Sequence, residues 1–136
     1  MADITVTVTD LELSATSKTT KVQFGEAGTA GETFYLKAAD GKYWKAVNAT
    51  EEAAAAVGIL TTPKVAADGY GNLHTSGDIT IGATLATGTV YVVSSTSGAI
   101  HPTDDLATTE WVTIVGTAFS TTVLRMGINA TGAQHV

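Results

Sequence analysis

The chain has no cysteine among its 136 residues, which removes a disulfide framework, a thiolate zinc site and a cysteine nucleophile together. Its stability must come from packing and strand pairing. Charge is sparse at 15% of residues and leans acidic, seven basic side chains against thirteen acidic ones for a net −6. Such a field repels phosphate backbones, so no nucleic-acid partner is expected, and a partner surface should be neutral or basic protein. No apolar run approaches the roughly 20 residues that a membrane-spanning helix needs, so no membrane partner is expected either. The opening residues lack the positive n-region and continuous apolar stretch of a secretory signal, and synthesis in a cytosol is the expectation.

Chemistry is equally thin. A catalytic reading needs a convergent nucleophile, base and orienting group, or a metal site with suitable ligand spacing. His74, His101 and His135 stand isolated among Gly, Ser, Thr and Ala, and each reads as a surface or turn residue. His101 beside Asp104 and Asp105 is the best metal candidate, yet the two aspartates are explained by a turn after Pro102. Glu51 and Glu52 suit a helix N-terminus. Asp68-Gly69-Tyr70-Gly71-Asn72 lacks the spaced acidic ligands of a calcium loop and reads as a flexible hairpin tip. The expectations are therefore no enzyme, no catalytic residues, no cofactor and no metal.

What the sequence does contain is strand pattern. From Ile4 to Leu13 apolar and polar residues alternate, which puts Ile4, Val6, Val8 and Leu11 or Leu13 on buried faces and predicts an N-terminal strand or arm, with a bend at Asp10-Leu11. Further strands are predicted over Lys21 to Phe24, Thr33 to Leu36, Lys42 to Val47, Ile79 to Ile81, Thr89 to Val93, Trp111 to Gly116 and Val123 to Ile128. Asp40-Gly41 supplies a hairpin turn. One helix is predicted between Asn48 and Val57, capped by Asn48 or Thr50 and ended by Gly58.

The chain also resembles itself. Gly25 and Gly82, Gly31 and Gly88, and Gly41 and Gly98 are each separated by 57 positions, with apolar residues in register between them, and Ala56-Val57-Gly58 matches Ile114-Val115-Gly116 one residue further on. An internal duplication accounts for this, coincidental turn spacing being the alternative. The predicted fold is all-β, an antiparallel β-sandwich or barrel, jelly-roll-like by preference, with an internal pseudo-repeat and at most one short helix. It is read as one domain over 1–136: an N-terminal strand or arm (1–20), quasi-repeats (22–60 and 79–118) and a C-terminal strand and tail (119–136).

Residues 31–46 (GETFYLKAADGKYWKA) with 55–60 (AAVGIL), and 79–94 (ITIGATLATGTVYVVS) with 98–102 (GAIHP), 105–108 (DLAT) and 111–116 (WVTIVG), carry a resemblance. Over about 22–132 the chain resembles the small head-decoration, or cement, proteins of tailed bacteriophages. The resemblance implies a β-sandwich on the outer surface of the capsid that binds as a homodimer or homotrimer and clamps neighbouring major capsid subunits. Residues Ile4, Val6, Val8, Leu11 and Leu13 of the arm, together with Tyr43 and Trp44, are the interface candidates. A glycan- or receptor-binding module of a phage fibre or tail, using Tyr43, Trp44 and Trp111 as platforms, is the alternative.

Overall fold

A computed structural model describes residues 3–136. Twelve strands occur among them: β1 (Glu12–Leu13), β2 (Lys18–Gln23), β3 (Gly28–Thr29), β4 (Thr33–Lys37), β5 (Lys42–Lys45), β6 (Ala56–Leu60), β7 (Lys64–Val65), β8 (Tyr70–Thr80), β9 (Val90–Val93), β10 (Ile100–Pro102), β11 (Trp111–Ala118) and β12 (Val123–Gln134). The single α-helix, α1, covers Glu51–Ala54. Ten strands form one curled antiparallel sheet along the path β10-β9-β11-β12-β8-β6-β4-β5, with β1 and β2 also on β8, while β3 and β7 make a separate ribbon. The architecture is thus the all-β sandwich or barrel class with one short helix.

The path reads alike from both ends, and the duplication repeats in fine detail. In the first half Thr33, Phe34 and Tyr35 pair with Ile59, Gly58 and Ala56; in the second Val90, Tyr91 and Val92 pair with Thr117, Gly116 and Ile114. Both ladders skip one residue at the same place, so Val57 and Val115 are equivalent bulges. The hairpins agree too, Phe34, Tyr35 and Leu36 facing Lys45, Trp44 and Tyr43 as Tyr91, Val92 and Val93 face Pro102, His101 and Ile100. Off the ladders, Gly31 N donates to Leu60 O at 2.8 Å and Gly88 N to Ala118 O at 2.8 Å. Gly31 and Gly88 share positive φ (95° and 82°), as do Gly41 and Gly98 (70° and 83°), the region where a side chain is strained.

Two cores result. Phe24 and Phe34, edge to face with centroids 4.8 Å apart, fill the first half with Val22, Leu60, Val65 and Leu73. The larger core combines the second half (Ile79, Ile81, Tyr91, Val93, Ile100, Val115, Leu124) with the opposite face of the first half's strands (Tyr35, Ala56, Ile59).

Several expectations need correction. The alternating segment from Ile4 to Leu13 is not a strand: only β1 is, and Val8–Asp10 forms a 3-10 turn, because Asp10 N and Leu11 N donate to Thr7 O and Val8 O. The helix is four residues rather than ten, capped by the Thr50 hydroxyl, which accepts from Ala53 N at 3.2 Å. Ala56 to Gly58 are needed in β6, and Asn48 is buried with its Nδ2 donating to Val93 O. The tip at Asp68-Gly69 is docked, with Phe24 N donating to Gly69 O at 2.9 Å and Asp68 N to Phe24 O at 2.8 Å. Strands β8 and β12 run well beyond Ile79 to Ile81 and Val123 to Ile128. His74 and His101, expected at the surface, are fully buried.

The bulges press glycine against the next strand: a Cβ at Gly58 would meet His74 O, and one at Gly116 would meet Arg125 O. Gly58→Ala and Gly116→Ala are each expected to cost about 2 kcal/mol or more, because backbone must move. Gly41→Ala, with open space but positive φ, should cost only about 1 kcal/mol. Urea unfolding of the three variants checks the order.

Candidate functional site

The duplicated halves differ most where each curled sheet closes on itself. In the first half closure is direct: Phe24 forms a parallel bridge to Tyr43, and Gly25 N donates to Tyr43 O at 2.8 Å. The same offset carries Gly25 to Gly82 and Tyr43 to Ile100. There the two carbonyls are bound by the N-terminal segment instead, Ile4 N donating to Ile100 O at 3.1 Å and Thr7 N to Gly82 O at 2.7 Å. The segment acts as a strap along the second seam.

The interface candidates consequently divide. Ile4, Val6 and Leu11 come together, half-buried against the larger core of their own chain, and Val6 sits where a Cβ on Gly31 would be. Val8 is half-buried in the 3-10 turn, and Leu13 is 51% exposed. On β5, Tyr43 packs on the smaller core and Trp44 on the larger one, so the two rings face different ways. The Trp44 indole N–H donates to Asp40 Oδ2 at 3.0 Å, Lys37 Nζ lies 4.4 Å from the ring centroid, and Gly25 lies against the ring. The Lys42 backbone N–H, with the indole, holds the Asp40 carboxyl below its usual range. Trp111 lies elsewhere, opening β11 opposite Gln134. The three aromatic rings do not make one platform.

The strap is bordered by shallow grooves. One of about 240 Å³ lies between it and the turns that carry Gly31 and Gly98, with Ile4, Val6, Ala30 and Ile100 on its walls. Ser94 Oγ donates to Asp3 Oδ1 at 2.5 Å, fastening the strap's start just past the end of β9.

Among the described residues, no convergent chemistry stands near these grooves. His101 occupies the position equivalent to Trp44; its Nδ1 lies 2.8 Å from Pro102 O, and its buried Nε2 has no hydrogen-bond partner among the described residues. Asp104 and Asp105 form a 3-10 turn after Pro102. No group of three or more His, Asp or Glu side chains suited to a metal occurs among the described residues. No protein-family model matches the chain, and no curated protein matches it.

His74 is the residue that sequence reasoning missed. It lies on β8 where β2, β6 and β12 meet, its Nε2 2.9 Å from Ser17 Oγ and its Nδ1 2.8 Å from Met126 Sδ. Ser17 Oγ donates to Asp78 O, so it accepts from the His74 Nε2–H. Burial pushes the His74 pKa below its ordinary value, opposed only by the Asp78 charge, which a bidentate Arg125 already engages. No sequence signal marks this site, because Ser17 and Met126 are distant in the chain.

Two outcomes follow from these contacts. Removing residues 2–11 uncovers the half-buried Ile4, Val6 and Leu11 side of the core and should lower stability by about 2–4 kcal/mol, measured by urea unfolding. Because the folded protein binds fewer protons at His74 than the unfolded chain, the stability that His74 contributes is complete above the unfolded value of about 6.5 and declines as pH falls below it. The urea midpoint should drop between pH 7 and pH 5 in the native protein, and His74→Gln should flatten that drop.

Proposed function

We propose that this chain is a capsid decoration protein that binds the exterior of a tailed-phage head, clamps neighbouring major capsid subunits through protein–protein contacts, and acts without catalysis or cofactor. The observation that carries the reading is the duplication itself. Two halves built to the same ladder, bulge and turn geometry repeat one backbone frame within a single rigid molecule. A lattice of identical subunits repeats its own surface in the same way, so one rigid molecule can touch two neighbours. Once one half is docked, the second binds at high effective concentration, and modest patches suffice.

The rest of the molecule is consistent with a binder whose interior is given to rigidity. Several of its buried polar groups serve internal hydrogen bonds, as in the Asn48 to Val93 and His74 to Ser17 contacts. The resemblance to head-decoration proteins over about 22–132 supplies the capsid partner, the outer virion surface as location and self-association as a homodimer or homotrimer. The acidic balance favours a neutral or basic landing surface and gives phosphate backbones nothing to bind.

Purified protein mixed with undecorated heads in mild salt should cosediment with them and saturate at a fixed ratio to the major capsid protein. Failure to bind at any ratio contradicts the reading.

A further inference from the structure

The path of the main sheet ends at β5 and β10, and both ends are blunted. At β5, Gly25 N and the Glu26 carboxylate occupy Tyr43 O and Lys45 N, and two lysines flank the strand. At β10, the strap binds Ile100 O and the strand stops at Pro102. Lysine, proline and covering segments are the devices by which β proteins prevent edge-to-edge pairing.

A third edge carries none of them. β12 pairs with β8 from Val123 to Met126, but there β8 turns away at Gly77 to run between β2 and β6. From Gly127 onward β12 is paired on its β11 side, through Asn129 to Ile114 and Ala130 to Thr113, and no strand pairs with its other side among the described residues. The stretch from Gly127 to Thr131 is exposed apart from the half-buried Ile128. It contains no ionisable side chain and no proline, and Gly132, at φ 67°, interrupts the extended run after it.

We infer that residues 127–131 of β12 form the self-association edge of the protein, pairing antiparallel with the same residues of a second copy across a two-fold axis. Three features select a second copy. An antiparallel edge is complementary to itself, so the N–H and C=O groups on the free side of the strip find their counterparts on an identical strip, as an isologous interface requires. A chain of net −6 repels its own kind over most of its surface, and an uncharged strip is where two copies approach at least cost. A foreign peptide adding to a sheet edge takes its specificity from side-chain pockets beside the edge, whereas Gly127, Asn129 and Thr131 present their outer face to solvent and the pocket on the strip's other face, between Ala130 and α1, is only about 100 Å³. The inference does not depend on the capsid reading.

Analytical ultracentrifugation over a concentration series tests it, with Gly127→Lys/Asn129→Lys as the variant. Both positions are exposed, and a Cβ at Gly127 meets nothing within 4 Å, so the fold should survive; position 129 lies opposite its own copy across the two-fold and position 127 diagonal to it, so the added like charges repel. The native protein should dimerise, and the variant should dimerise at least tenfold more weakly with an unchanged thermal midpoint. A Thr19→Lys control, also exposed but on β2, should dimerise as the native protein does. A second readout, amide hydrogen exchange of the native protein, should show protection at residues 127–131 rising with concentration. A native protein monomeric up to about 100 µM, an oligomer untouched by the double substitution, or concentration-independent exchange in the strip overturns the inference.

Discussion

Strand β8 belongs to both halves of the protein, and the rest of the sheet is arranged around that sharing. Its first part pairs with β2 on one side and β6 on the other, and its last residues pair with β1 and β12. It is therefore the closing strand of the first repeat and the opening strand of the second. Had the halves each kept their own strand, two small sheets would meet face to face; instead one continuous ladder ties them, and the larger core is built from both. The buried His74 sits at the fork, where a polar group must find partners from the elements that converge there.

Sharing a strand leaves one difficulty. Each half must close a seam between its first strand and its return hairpin, and the first does so with its own residues, Phe24 and Gly25 against Tyr43. The second half has its seam occupied by the N-terminal segment. Its partly buried Ile4, Val6 and Leu11 supply apolar cover, while its backbone N–H groups take the carbonyls of Ile100 and Gly82. Residues that the sequence offers as an arm for a neighbour are thereby used within the chain, and the proposed binding surfaces move to the outer faces and to the free side of β12.

What could be read in advance was whatever local chemistry determines. Glycines in turns at a constant spacing revealed the duplication, because Gly31, Gly88, Gly41 and Gly98 hold backbone conformations that other residues adopt only with strain. The Asp40-Gly41 hairpin was legible for the same reason. Where tertiary contacts decide, the pattern misled. Alternation from Ile4 to Leu13 has the period of a strand, but a segment lying along a seam buries alternate side chains just as a strand does. Thr75-Ser76-Gly77-Asp78 lies outside the strands that the alternation predicts, yet Lys18 pairs with Ser76 and Arg125 with Asp78, which places it inside the shared strand β8. Burial of His74 depends on Ser17 and Met126, and no local signal could announce it.

Closure of the second seam by the strap is read residue by residue in amide hydrogen exchange by NMR. Ile4 and Thr7, whose amides bind Ile100 O and Gly82 O, should exchange markedly more slowly than the amide of exposed Thr5 between them. Equal and rapid exchange at all three positions would contradict it.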